Sequence, residues 1–173
     1  MSVLPLVVGL VAAMRLGELA YSARNARALK ENGAVELGAS HYPLVVALHA
    51  AWLLALLAFV PWNAAVNWIW LGLFLALQVM RVWTIASLGR FWTARVYSLP
   101  AAPLVRRGPY RLVAHPNYLI VVGEIAVLPL VFGAWRIALI FSLLNAALLA
   151  WRIHIEERGL APRRNLPQSQ RPI

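Results

Sequence analysis

The sequence predicts an all-α fold, an integral-membrane bundle of five transmembrane helices, and three observations predict it. Hydrophobic residues make up 62% of the 173 positions, against roughly 45–50% in soluble domains, and mean hydropathy is +0.70. Those residues gather into five long runs, the length pattern of helices crossing a hydrocarbon layer. The cations, fifteen Arg and one Lys against six Glu and no Asp, fall mostly between runs, as loop charges do in membrane proteins.

The first run, about Val3–Tyr21, is broken only by Arg15 and Glu18 and would span about 29 Å at 1.5 Å per residue. A polar connection, SARNARALKENGAVELGASH, follows, with Gly33 and Gly38 as breakers. The second run, Pro43–Val60, carries one histidine, His49, read as a hydrogen-bonded core residue. PWNAAVN is a short uncharged turn whose tryptophans suit the membrane interface. The third run, Trp68–Leu88, contains Arg81. The connection Gly89–Ala114 holds five arginines and three prolines, which argue against one continuous helix. The fourth run opens at Pro116, where a missing N–H costs little, and ends near Pro129–Gly133; the fifth, Ala134–Ile155, flows into HIEERGL. Residues 1–160 thus read as one domain, and residues 161–173, APRRNLPQSQRPI, as a polar, disordered tail.

The basic connections follow runs one, three and five, and the turns after runs two and four are nearly uncharged. The positive-inside rule then predicts an N-terminus outside and a C-terminus in the cytoplasm. The preference for Arg over Lys, with abundant Ala, points to a bacterial inner membrane. This charge placement also argues against a nucleic-acid partner. The absence of Cys excludes disulfides, thiolate metal sites and a cysteine nucleophile. No HExxH-like spacing supports a metal, no glycine-rich phosphate loop supports a nucleotide fold, and no obligate protein partner is implied.

Two segments carry chemistry. In GPYRLVAHPNY, residues Tyr110, His115, Asn117 and Tyr118 place several donors and acceptors within one short connection. In WRIHIEERGL, Arg152 and Glu156 stand at i and i+4 and share a helix face. The plain alternatives are a helix-start device for the first and a solvated ion pair for the second. The topology places both on the cytoplasmic face, where together they would make a polar pocket at the membrane edge. Glu124, about 12 Å into the fourth run, should face the interior and be paired or protonated. Arg15 and Glu18, at i and i+3, can pair with each other.

GPYxxxxHPNY followed later by RxxxEExxL resembles the isoprenylcysteine carboxyl methyltransferase family, integral-membrane enzymes that use S-adenosyl-L-methionine without a Rossmann fold. The likeness covers about Leu88–Leu160. The first half, with RLGELAYSARNARAL and GASHYPLVVALHAAW, is similar to a bacterial branch linked to O-methylation of long-chain phenols and pyrones. The resemblance implies a cofactor pocket lined by Tyr110, His115, Pro116, Asn117 and Tyr118, with Leu104 and Val105 contributing backbone and Glu156 holding a polar group of the cofactor. It implies that Arg152 faces the acceptor. His115 or Glu124 would take a proton where the acceptor is a phenol. The implied partners are membrane lipid and a lipophilic small-molecule or prenylated acceptor arriving through the bilayer. Two departures stand out: Ala114 where the family often has Arg, and a tail lacking the usual aromatic helix. Arg95 is a possible further contact. The rival readings are a small transporter using Glu124, Arg81 and His49, and a membrane scaffold.

Overall fold

A computed structural model describes residues 2–39, 42–98, 107–113 and 115–164, with side chains described to residue 158. Five helices dominate: α1 (Val3–Glu31), α2 (Tyr42–Phe59), α3 (Trp68–Leu88), α4 (Pro116–Val131) and α5 (Trp135–Arg164). Four have candidate spans of 18 to 29 residues, and α4 is a shorter apolar helix. The large apolar side chains on the outside, such as Leu6, Ile69, Val79 and Leu143, are more than half exposed. A bundle greasy on its outer surface is matched to lipid rather than water. The protein is an all-α integral-membrane bundle.

The predicted third helix matches the observed one end for end, and Asn67 caps it by accepting from the backbone N–H groups of Ile69 (3.1 Å) and Trp70 (3.3 Å). Two expectations need correction. The first helix does not stop near Tyr21 but runs to Glu31, because Ser22, Asn25, Ala26 and Leu29 form a buried helical stripe within the polar segment. The fifth helix likewise continues through Arg164, into the segment read as a disordered tail; residues 165–173 lie outside the described residues.

One small sheet also went unforeseen. Strand β1 (Val35–Leu37) pairs antiparallel with β2 (Val96–Ser98), in the register Glu36 opposite Tyr97. Glu36 binds Arg95 Nη1 at 2.7 Å and accepts from the Tyr97 hydroxyl at 3.0 Å. Burial acts to raise the Glu36 carboxyl, but the hydrogen bonds from Arg95 and Tyr97 and the Arg95 charge outweigh it and hold the group below its ordinary range.

The bundle is graded along its length. An apolar core of Leu4, Val8, Trp52, Leu56, Phe74, Ile125, Leu128 and Val131 fills one half. Helices α3 and α4 approach closely beside it, where a Cβ at Gly123 would stand 3.0 Å from Leu77. The other half is the basic end, where α1 and α3 finish and α4 starts. Gly133, at φ +70, turns the chain back, so α5 returns antiparallel to α4 and also finishes at this end.

Candidate functional site

The site is built at the start of α4. Pro116 occupies the first helical turn, and His115 stands just outside it in the N-cap position, with no side-chain cap bond. His115 and Tyr118, at i and i+3, therefore share a face, and their rings stack with centroids 5.2 Å apart and planes 10° apart. Helix α4 has 16 residues, about 24 Å, short of the roughly 30 Å hydrocarbon core. A helix of this length does not cross that layer by itself.

Helix α5 supplies the other half. Arg152 and Glu156 meet at one atom, the Tyr118 hydroxyl, which donates to Glu156 Oε2 at 2.5 Å and accepts from Arg152 Nε at 3.0 Å. The Arg152 guanidinium lies 5.3 Å from the centre of the Tyr118 ring, within cation–π range. Its Nη2 donates to the Ala94 carbonyl at 2.6 Å. His115 Nδ1 stands 3.8 Å from Glu156 Oε1. Arg152 is buried, and its guanidinium meets the Tyr118 hydroxyl, the Tyr118 ring and the Ala94 carbonyl.

Two further residues belong here. Among the described residues, the Asn117 Oδ1 atom is buried without a hydrogen-bond partner; such an atom normally costs stability unless a ligand satisfies it. Tyr110 lies in a 3-10 turn over Gly108–Arg111. Burial, and secondarily the Glu156 charge, push its phenol well above the ordinary range. Gly108 holds this turn at φ +53, with Ser87 and Trp83 of α3 packed where a side chain would project. Leu104 and Val105, also expected in the pocket, lie outside the described residues.

Glu124 is not brought to this cluster. It lies about 9 Å beyond Tyr118 along α4, and both its oxygens are engaged. Gln78 Nε2 donates to Oε1 at 2.8 Å, and Arg81 Nη1 to Oε2 at 2.9 Å. Arg81 also grips Glu18 with two bonds, Nε to Oε1 at 2.8 Å and Nη2 to Oε2 at 2.7 Å. Arg15 pairs with Glu18 at 3.1 Å, as its spacing predicts, and approaches Glu124 at 3.5 Å. Two arginines and two glutamates form a neutral, mutually bonded knot joining α1, α3 and α4. His49 is separately tied to its own helix, through the Val45 carbonyl at 2.9 Å. Arg95 is turned away too, onto Glu36 and the face of Tyr42, 4.3 Å from the ring centre.

Sequence reasoning missed the segment that backs Arg152. Asn25 Nδ2 donates to the carbonyls of Gly89 (3.1 Å) and Trp92 (2.8 Å), and Ser22 Oγ accepts from the Ala94 N–H at 2.8 Å. The usable signal was the i, i+3, i+7 spacing of Ser22, Asn25 and Leu29.

A polar, aromatic-faced cluster thus stands at the basic end of an apolar bundle. The model for the isoprenylcysteine carboxyl methyltransferase family matches residues 70–162, and the chain belongs to that family of membrane methyltransferases. It is 36% identical to the uncharacterized protein YpbQ of Bacillus subtilis (strain 168) over 159 residues, 90% of this chain and 95% of that one. It is 28% identical to an uncharacterized protein of Haemophilus influenzae over 158 residues, 87% of this chain and 91% of that one. No solved structure matches.

Proposed function

We propose that this protein is an S-adenosyl-L-methionine-dependent O-methyltransferase whose acceptor is a lipophilic phenol, pyrone or prenylcysteine-like carboxylate drawn from the bilayer. The observation that carries the reading is the convergence of Arg152 and Glu156 on the Tyr118 hydroxyl, beside the stacked His115 ring. In the order of the bundle, the basic end faces the cytoplasm of a bacterial inner membrane, with the N-terminus outside, because Lys and Arg gather on that side. A water-soluble donor then enters from the cytosol and a greasy acceptor enters between helices.

The residues present fit the methyl donor. Glu156 offers a carboxylate for an ammonium group, Asn117 an unmet acceptor, and Tyr118, His115 and Tyr110 aromatic faces for a sulfonium cation. Pro116 fixes the backbone from which these side chains project, and Leu104 and Val105 would add main-chain contacts. When bound, the donor supplies an electrophilic methyl group. The chain's own work is to hold the acceptor oxygen in line and exclude water.

Arg152 orients that oxygen: with Nε and Nη2 engaged, its remaining edge, Nη1, is the one turned to an anion. For a carboxylate no base is needed. A phenol, with pKa about 10, must lose its proton, and His115 takes it while Arg152 stabilises the phenolate. Glu124, tied by Gln78 and Arg81, serves instead to fix α4 within the bundle. Purified protein given radiolabelled S-adenosyl-L-methionine should label pentadecylresorcinol or N-acetyl-S-farnesylcysteine, and His115→Ala should suppress labelling of the phenol more than of the carboxylate. Failure of the wild-type protein to label either acceptor overturns the reading.

A further inference from the structure

Arg152 is the residue the proposed chemistry depends on for its acceptor, and its outer nitrogen is anchored to the main chain between α3 and β2, through the Ala94 carbonyl at 2.6 Å. That segment is itself held from the far side. The Ala94 N–H, on the preceding peptide unit, donates to Ser22 Oγ at 2.8 Å. One turn along α1, Asn25 gathers the carbonyls of Gly89 and Trp92 with a single amide. Tyr21 stacks on Trp92 at 5.9 Å. Ser22 and Asn25 are each 3% exposed, so water does not compete for these bonds.

We infer that Ser22 and Asn25 are positioning residues of the acceptor site: α1 sets the place of the Arg152 guanidinium through the Ala94 peptide. The inference rests on the reading of Arg152 as the acceptor-orienting cation. A buried serine and asparagine within a membrane helix are costly unless bonded, and both spend their bonding on one short loop. That loop offers Arg152 a carbonyl whose direction depends on the peptide plane. If the Ser22 bond is lost, the 93–94 peptide loses its fixed plane, the Ala94 carbonyl that follows it shifts, and Arg152 keeps its charge but loses its aim. The guanidinium fork is directional, so the acceptor is affected while the methyl donor, held on the Glu156 and Asn117 side, is not. The family match starts at residue 70, so this part of the site is built by a region outside it.

The test uses full-length protein in detergent, with pentadecylresorcinol and N-acetyl-S-farnesylcysteine as acceptor probes and S-adenosylhomocysteine as donor-site probe. Wild-type protein must bind S-adenosylhomocysteine and methylate one probe; if it does not, the functional reading itself fails. Given that activity, Ser22→Ala, a small change that suits a helix, should raise the acceptor KM up to about tenfold, the upper end for one neutral hydrogen bond. Affinity for S-adenosylhomocysteine should stay within about twofold. The same substitution placed on Arg152→Lys should add little, because the two act in series. Asn25→Ala should act in the same direction as Ser22→Ala. Unchanged acceptor KM in both variants overturns the inference, as does an equal loss of donor affinity, or full additivity of Ser22→Ala with Arg152→Lys.

Discussion

Two polar clusters lie on one helix, α4, about 9 Å apart, and they are built on opposite plans. Around Glu124 the carboxylates are met from within the cluster: both are held by arginine, and Gln78 bridges Arg15 and Glu124, while Arg15 Nε and Nη1 are left with ion-pair contact but no hydrogen bond. Around Tyr118 the groups are gathered but unfinished, with the Asn117 amide oxygen buried and unmet. A knot of paired charges deep in an apolar bundle ties its helices to one another. An open cluster at the edge costs stability that only a bound partner returns. The difference assigns them separate duties, and it explains why charge inside a membrane segment is not by itself a sign of transport.

The comparison breaks most visibly at Arg81. Arg81→Ala leaves buried Glu124 and half-buried Glu18 without their Arg81 bonds, which should cost about 3–5 kcal/mol and show as a large fall in the unfolding temperature of solubilised protein. Glu156→Ala should behave in the opposite sense. It should weaken S-adenosylhomocysteine binding roughly 10- to 150-fold, the span of about 1.5–3 kcal/mol for a bond to a charged group, read by calorimetry, while thermal stability hardly moves. Tyr118→Phe removes the hydroxyl on which Arg152 and Glu156 meet and keeps the ring that stacks on His115. It should lower kcat/KM about fivefold to tenfold, near 1 kcal/mol, a smaller loss than at Glu156.

The smallest effect expected is at the β1–β2 strap. Because the folded state holds Glu36 below its ordinary range, that bonding stabilises the protein above the unfolded value, near 4.5, and the contribution is lost as pH falls through the folded value. Glu36→Gln should flatten this acid-side decline by about 0.2–1 kcal/mol, seen in unfolding curves taken from neutral pH downward. A variant that kept the wild-type acid slope would remove Glu36 from the account.

How much of this was legible in the residues depends on which physical signal each feature leaves. Helix α3 was read end to end because an apolar run bounded by Asn67 and Gly89 carries both its length and its stops. The Arg152–Glu156 face was legible from i, i+4 spacing, and the HPNY turn from Pro116. The end of α1 was not, because composition spoke louder than period: Ser22 and Asn25 look like loop residues until their stripe with Leu29 is counted. Strands of three residues leave no periodic trace. The duty of Glu124 was hidden for another reason. Its burial follows from the sequence, but its partner is chosen in three dimensions, and Arg15, Arg81 and His49 were all available on paper. Only the packing of α3 and α1 against α4 sets Arg81 and Gln78 on the Glu124 oxygens with Arg15 close by, and leaves His49 apart.

The central claim is that the open cluster at the start of α4 binds the methyl donor. Thermal unfolding of the solubilised protein, titrated with S-adenosylhomocysteine, tests it most directly. At 100 times the dissociation constant the ligand should stabilise wild-type protein by about 2.7 kcal/mol, and Glu156→Ala at the same concentration should show little of that gain. No stabilisation of the wild type, or an equal gain in Glu156→Ala, would contradict it.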